Sequence, residues 1–215
     1  MLGRFMFCCS AVTAILLSSA PVSAQETHPF SVHDMLAMDR ISGPEVSPDG
    51  SRIVFVLRKT DLEANRGRTD LWLVSVDGEG LRRLTSHEAA DFNPRWSADG
   101  KSVFFLSTRS GSSQVWRLPI GGGEARQVPE PSLVVGHLVL SPVGSRMAFS
   151  MEVFPDCSYV ECTVKRLEDR KKSKASGRLY DTIFVRHWDT WKDGRRSHLF
   201  VMPIEEGEAV DVTAG

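Results

Sequence analysis

The chain contains 215 residues, of which 41% are hydrophobic and 25% are charged. This composition excludes an intrinsically disordered chain and supplies enough apolar residues for a sizeable core. The formal net charge of −1 argues against nucleic acid as a partner, because nucleic-acid-binding domains are usually strongly basic.

The first 24 residues have the pattern of a secretory signal peptide. Arg4 precedes an apolar run at 5–17, and Val22-Ser23-Ala24 resembles the small-residue site at which such peptides are cleaved. A membrane anchor is the alternative, but the run is shorter than the about 18–20 residues that cross a bilayer. We therefore expect an exported protein, periplasmic or secreted, with no membrane contact after cleavage. Its 25 basic and 27 acidic residues would give a net charge of −2.

Residues 25–40 form a lead-in segment in which a short helix is expected. Ser31 is a typical N-cap residue and Asp34 follows three positions later, which is a capping-box pattern. Val32 and Met35 supply part of an apolar face, so we expect this helix to pack on the strands that follow it.

A phrase of strand, turn and strand then occurs three times. Its copies are PEVSPDGSRIVFVLRK at 44–59, PRWSADGKSVFFLSTR at 94–109 and HLVLSPVGSRMAFSME at 137–152. The repeat serines Ser47, Ser97 and Ser141 lie 50 and 44 residues apart, within or near the roughly 40–50-residue period of propeller blades. Proline, aspartate and glycine favour a tight turn after each first strand, and two further strands follow each copy.

We therefore predict an all-β fold, a partial β-propeller of about three four-stranded blades with a short N-terminal helix behind the signal peptide. The expected blades cover residues 41–86, 92–129 and 137–215. The third blade departs from the pattern, because Val143 replaces the turn aspartate and a long insertion occupies 154–197. Long loops on a rigid scaffold often carry function.

The insertion holds a candidate disulfide. Cys8 and Cys9 leave with the signal peptide, whereas Cys157 and Cys162 remain in FPDCSYVECT. In an exported protein such a pair is expected to be oxidised, and two buried free thiols are the alternative.

Two other features of the insertion are candidates for binding. A basic run from Lys165 to Arg178 could contact an anionic partner, but acidic residues interrupt it and serine and glycine dilute it, which favours a solvated loop. The segment RHWDTW contains Arg186, Trp188 and Trp191. These residues either contact a substrate or another domain, or close the insertion over the blade by packing.

No catalytic, metal or cofactor site is predicted. The segment at 111–115 lacks the second glycine of a G-x-S-x-G nucleophile elbow. The segment from His87 to Asp91 has aspartate where a zincin motif needs its second histidine, so an interblade loop is expected there. The sequence also has no phosphate loop and no dinucleotide fingerprint.

Together, these segments resemble the N-terminal part of the prolyl oligopeptidase (S9) family of serine peptidases, in its dipeptidyl-peptidase 5 and acylaminoacyl-peptidase-like branch. The matching segments are PEVSPDGSRIVFV, DLWLVSVDG, PRWSADGKSVFFLS, QVWRLPIGGGEARQV, the FPDC and CT cysteine pair, and RHWDTWKDGRRSHLFV. The S-P-D-G repeat is shared with Tol-system propellers, whereas the cysteine insertion and RHWDTW are more specific.

The resemblance implies a propeller that caps a C-terminal α/β-hydrolase domain and restricts cleavage to short peptides. No catalytic residue of the family can be assigned to a position here, so we expect an inactive fragment whose partners are the hydrolase domain and the remaining blades. Three blades leave an open arc, which predicts self-association of the isolated chain. The alternative is a non-enzymatic periplasmic propeller that resembles the Tol-system propeller and binds a protein.

Overall fold

The computed structural model describes residues 28–128, 132–177, 179–180, 183, 185–205 and 207–214, so the predicted signal peptide lies outside the described residues. Its first element is helix α1 (Val32–Ala37). The Asp34 N–H donates to Ser31 Oγ at 3.3 Å, and the Ser31 N–H donates to the Asp34 carboxylate at 2.7 Å. This capping box confirms the helix start that the sequence predicts.

Three antiparallel sheets of four strands follow. The first sheet contains β1 (Arg40–Val46), β2 (Arg52–Asp61), β3 (Arg66–Ser75) and β4 (Arg82–Arg83). The second contains β5 (Asp91–Trp96), β6 (Ser102–Ser107), β7 (Gln114–Pro119) and β8 (Arg126–Gln127). The third begins with β9 (Val135–Leu140) and β10 (Arg146–Val153). An insertion then contains α2 (Val160–Lys172), β11 (Arg186–His187) and β12 (Thr190–Trp191), before β13 (Arg196–Pro203) and β14 (Val210–Asp211) complete the third sheet.

In each sheet the strands lie side by side in chain order, which is the meander of a propeller blade. The first strands β1, β5 and β9 contact one another in succession and so form the inner edge of the arc. These sheets confirm the predicted all-β partial propeller with about three four-stranded blades. Among the described residues, no helix is long and apolar enough to span a bilayer.

A serine hydroxyl closes the turn after the first strand of every blade. Ser47, Ser97 and Ser141 Oγ each accept a hydrogen bond from the backbone N–H five residues later, at 2.9, 2.9 and 3.1 Å. In the first two turns the serine hydroxyl also donates to Asp49 or Asp99. These bonds lower the pKa of Asp49 to about 2 and hold the pKa of Asp99 below its usual range.

Each first strand also contains one residue in the left-handed backbone region. Gly43, Asn93 and His137 have φ angles of 55°, 53° and 52°, and each stands four positions before its repeat serine. The pairing register shifts at these points, so each is a β-bulge. Asn93 Oδ1 accepts a hydrogen bond from the Leu138 N–H at 2.8 Å, and this bond joins the second and third blades.

The hydrophobic cores lie between neighbouring blades. Strand β6 is buried on both faces, and because its side chains alternate, Val103 and Phe105 enter the first core while Phe104 and Leu106 enter the second. The first core also contains Val54, Val56, Leu71, Leu73, Trp96, Leu118 and Ile120. The second also contains Val115, Val128, Leu133, Val135, Leu138, Met147, Phe149, Met151, Val153, Phe200, Met202 and Ile204.

A row of apolar residues crosses the far face of the third sheet and is partly open to solvent. Val139 and Val201 lie opposite Ala148 on either side, and Val210 continues this row across all four strands. Val139 and Val210 are 52% and 61% exposed. An arc of three blades therefore has an end face suited to packing against another sheet.

Helix α2 corrects the interpretation of the basic run. The expected solvated loop is wrong for residues 165–172, because they belong to this helix. Val160, Val164 and Leu167 recur at helical spacing and pack against the second core. Their packing anchors one face of the helix, while Lys165, Lys171 and Lys172 remain exposed.

Candidate functional surface in the third-blade insertion

The insertion leaves the end of β10 and returns at the start of β13. The β2–β3 and β6–β7 connections lie at the same end of their sheets, because successive antiparallel strands reverse direction. Residues 154–197 contain 11 basic and 7 acidic residues, a net charge of +4, whereas the rest of the chain has 15 and 20, a net charge of −5. The insertion is therefore a cationic projection from an acidic scaffold.

Two arginines of helix α2 hold the base of the insertion by stacking on one ring. The guanidinium carbons of Arg166 and Arg170 lie 4.4 and 4.6 Å from the centroid of Phe154, which is 3% exposed. Cation–π contacts of this kind gain strength when the ring is shielded from water. These two contacts with Phe154 hold helix α2 against the chain that leaves β10.

Two aspartates, Asp156 and Asp193, bond to arginines at this base of the insertion. Arg166 donates to both oxygens of Asp156 at 2.8 and 2.7 Å, and this bonding lowers the pKa of the Asp156 carboxyl. Arg195 Nε donates to Asp193 at 2.8 Å, and Arg170 donates to the Asp193 backbone oxygen at 2.9 Å. Burial raises the pKa of Asp193, but its bonds with Arg195 outweigh burial and lower it. Both ends of the insertion are thus tied to helix α2.

The two remaining cysteines meet at the start of helix α2. The sulfurs of Cys157 and Cys162 form a disulfide, and their Cα atoms are 5.6 Å apart. Thr163 follows and is fully buried, and its hydroxyl accepts a hydrogen bond from the Phe154 N–H at 3.2 Å. The disulfide loop and the first helical turn therefore form one compact unit.

The structure brings the three candidate contact residues together in the β11–β12 hairpin. Arg186 Nε donates to the Trp188 backbone oxygen at 2.6 Å, and its guanidinium carbon lies 5.3 Å from the centroid of the Trp191 ring. Trp191 also stacks with Tyr180, with centroids 5.9 Å apart. Trp188 is 85% exposed and Trp191 is 51% exposed. The hairpin is held by its own contacts and by Tyr180, and it presents Trp188 to solvent instead of burying it against the blade.

Arg95 joins all three blades at the inner edge of the arc. Its guanidinium donates to the Glu45 carboxylate of β1 and, through Nε, to the Leu138 backbone oxygen of β9 at 2.9 Å. Trp96 Nε1 donates to the Glu45 backbone oxygen at 3.0 Å. Side chains thus supply hydrogen bonds between the blades along this edge.

The residues considered for catalysis have structural partners. Asp91 is fully buried and accepts two hydrogen bonds from Arg109, at 2.8 and 2.6 Å. Arg109 in turn lies 4.8 Å above the Trp116 ring. Ser113 Oγ donates to the Val135 backbone oxygen at 2.7 Å. Within the part of the chain that the structure describes, no group of three or more histidine, cysteine, aspartate or glutamate residues could hold a metal ion.

The profile of the TolB beta propeller domain family, PD40, matches residues 35–168, which is more than half of the chain. The chain belongs to the PD40 propeller family. The matched region begins in helix α1 and ends within helix α2, and it includes the disulfide.

Relatives of this PD40 propeller include peptidases. Dipeptidyl-peptidase 5 from Porphyromonas endodontalis is 29% identical over 183 residues, which are 81% of this chain and 25% of that protein. Acylaminoacyl peptidase from Pyrococcus horikoshii shares the fold over 82% of this chain and 25% of its own, with a TM-score of 0.60 at 16% identity. The Tol-Pal system protein TolB from Anaeromyxobacter dehalogenans is 46% identical over 54 residues, 25% of this chain.

The PD40 propeller spans about a quarter of the length of its dipeptidyl-peptidase relative. The resemblance to the N-terminal propeller part of such peptidases, drawn from the sequence, is confirmed.

Sequence reasoning missed the residues that hold the insertion of this PD40 propeller. Phe154 and Arg170 are 16 positions apart and carry no local motif that links them. The spacing of Val160, Val164 and Leu167 was the available signal, since it places three apolar side chains on one face of a helix.

Proposed function

We propose that this PD40 propeller is the N-terminal part of an exported serine peptidase of the prolyl oligopeptidase type that cleaves short peptides. The match over 81% of the chain to a dipeptidyl-peptidase, of which it covers 25%, carries the proposal. The catalytic serine, aspartate and histidine then belong to an α/β-hydrolase domain elsewhere in the full-length protein. The propeller acts by limiting which peptides reach that domain.

The third-blade insertion is the part of the propeller best suited to contact the peptide or the hydrolase domain. It carries a net charge of +4 on an acidic scaffold, and its hairpin exposes most of Trp188. Large aromatic side chains beside arginine are typical anchors at interfaces. We assign this contact to Arg186, Trp188 and Trp191.

Export is proposed on two grounds. The N-terminal 24 residues have the pattern of a signal peptide, and Cys157 and Cys162 form a disulfide in the structure. Disulfides persist in oxidising compartments such as the periplasm and the cell exterior.

The proposal is tested by comparing the native polypeptide that carries this chain with the 215-residue chain alone. We expect the native polypeptide to hydrolyse dipeptidyl or acylaminoacyl reporter substrates and to react with a fluorophosphonate serine reagent. The chain alone should do neither, because catalysis resides in the hydrolase domain. Serine labelling of the chain alone, or an inert native polypeptide, would contradict the proposal.

The role of the hairpin is tested in the native polypeptide by Trp188→Ala. Phe30→Ala is the control, because Phe30 is a 71% exposed aromatic residue outside the insertion. We expect Trp188→Ala to lower kcat/KM by about tenfold, the effect of one interface anchor of about 1.4 kcal/mol. Equal effects of the two substitutions would exclude a specific contact by Trp188.

A second candidate function is a non-enzymatic module that binds a protein, as a Tol-type propeller would. The 46% identity to TolB over 54 residues favours it, but this match covers 25% of the chain. Reporter hydrolysis by the native polypeptide separates the two functions, because only the peptidase would show it.

A further inference from the structure

A cavity of about 700 Å³ lies beside the outer strands of the third blade. Its apolar floor includes the partly exposed Val160 and Ala209, which pack on the core that contains Met151, Phe200 and Met202. Those three core residues are only 2–4% exposed. The disulfide loop, with Cys157 and Ser158, lines one side. Because β13 and β14 are the last strands of the blade, the cavity is remote from the inner edge of the arc. None of the three hairpin residues lines it.

The charged rim of the cavity is acidic. Glu161, Glu208 and Asp211 line it, and no lysine or arginine does so among the described residues. The ion pairs found in the described part of the chain involve neither Glu161 nor Glu208. Two carboxylates that form no ion pair with a described residue therefore stand beside an apolar floor.

The third carboxylate is held in its charged form. The His198 ring donates from Nδ1 to Asp211 Oδ2 at 2.6 Å, and the Thr213 N–H donates to Asp211 Oδ1 at 2.9 Å. Burial raises the pKa of Asp211, but these bonds outweigh burial and bring it below its usual range. Among the described residues, the other titratable side chains that line the cavity are His198, Tyr159 and the two glutamates.

We propose that this cavity binds an ammonium or guanidinium group on an apolar stem, as found in arginine and lysine side chains. The stem would lie on the floor and the cation would meet the carboxylates of Glu161 and Glu208, as long basic side chains do when they cover apolar surface. The site is an accessory one, away from the inner edge and the aromatic hairpin. It goes beyond the proposed peptidase function and does not depend on it.

The test is calorimetric titration of the native polypeptide, pretreated with a fluorophosphonate so that hydrolysis does not contribute. The ligands are acetyl-Leu-Arg-Leu-amide and its neutral citrulline analogue, whose blocked ends exclude recognition of a peptide terminus. We expect the arginine peptide to bind about tenfold more tightly and its affinity to fall as salt is added. Equal affinities of the two peptides, or binding of neither, would overturn the proposal.

Free agmatine distinguishes the two sources of the cation. Affinity equal to that of the arginine peptide would assign the site to small amines, and much weaker binding would assign it to polypeptide side chains. Both results with agmatine support a cation site. The comparison of the arginine peptide with its citrulline analogue tests whether the site requires a positive charge.

Variants localise the binding. Glu208→Gln is expected to weaken the arginine peptide about threefold, the effect of one exposed ion pair, and Ser158→Trp is expected to abolish binding by filling the cavity. Glu63→Gln is the matched control, because Glu63 is an exposed glutamate in the β2–β3 turn. An equal loss of affinity for the arginine peptide in Glu208→Gln and Glu63→Gln would place the ligand elsewhere. Unchanged binding of this peptide to Ser158→Trp would do the same.

Discussion

Replacing Arg95 by methionine should weaken the joint between all three blades. The guanidinium donates to the Glu45 carboxylate and to the Leu138 and Pro94 backbone oxygens, the latter two at 2.9 Å, and its side chain is 26% exposed. The bond to Pro94 is local and contributes little to the joint. The partly exposed bond to the Glu45 carboxylate and the bond to the Leu138 backbone oxygen remain. Together they stabilise the folded arc by about 2–3 kcal/mol.

The assay is urea unfolding of the protein followed by circular dichroism and tryptophan fluorescence. Methionine retains most of the apolar stem of Arg95. The decrease in the free energy of unfolding of Arg95→Met therefore measures the loss of the guanidinium hydrogen bonds. Arg126→Met is the control, because Arg126 is an exposed arginine on the edge strand β8 of the same blade. A loss below about 0.5 kcal/mol for Arg95→Met, the scatter of ordinary surface substitutions, would refute the role given to this residue.

Three further changes should alter stability. Asn93→Ala should cost about 2 kcal/mol in urea unfolding, because alanine is strained at a φ of 53° and the Leu138 N–H loses its acceptor. The pKa of Asp49 is about 2 in the folded protein, against an ordinary 3.8. The ionised Asp49 carboxylate therefore stabilises the fold fully above about pH 4, and this stabilisation is lost as the pH falls toward 2. Asp49→Asn should make the melting temperature depend less on pH between about 2 and 4. Replacing Cys157 and Cys162 by serine should cost about 2 kcal/mol, since the disulfide closes a short loop.

Each of these results has a contrary outcome. Full stability of Asn93→Ala would mean that the bulge conformation is not required. An unchanged pH profile for Asp49→Asn would assign acid sensitivity to other carboxylates. Equal melting temperatures of the disulfide protein and its double serine variant would show that helix α2 holds the insertion without the covalent link.

The blade turns are the part of the fold that the sequence predicts best. Ser47 and Asp49 accept hydrogen bonds from backbone N–H groups at most five residues away, so their chemistry is visible in the S-P-D-G letters. The bulges are less visible, because Gly43, Asn93 and His137 share a position and a backbone angle but no residue type. Their common need is tolerance of positive φ, which several residue types meet.

The insertion shows where local reasoning fails. The cysteine pair and the RHWDTW segment are recognisable in the sequence, but the stacking of Arg166 and Arg170 on Phe154 depends on tertiary packing. The same packing turns a basic run that looks like a loop into helix α2. The acidic cavity joins residues from β13, β14 and the disulfide loop, and no single segment reveals it.

We propose that this propeller is the N-terminal part of a larger serine peptidase and limits which peptides reach the hydrolase domain. The most direct test of this proposal is the intact mass of the native polypeptide, captured from its source with an antibody against residues 150–200. Since the chain covers 25% of its dipeptidyl-peptidase relative, we expect a mass roughly three to four times the 23.8 kDa of this chain. A mature product at or just below 23.8 kDa would contradict the claim and favour a propeller arc that a separate partner completes.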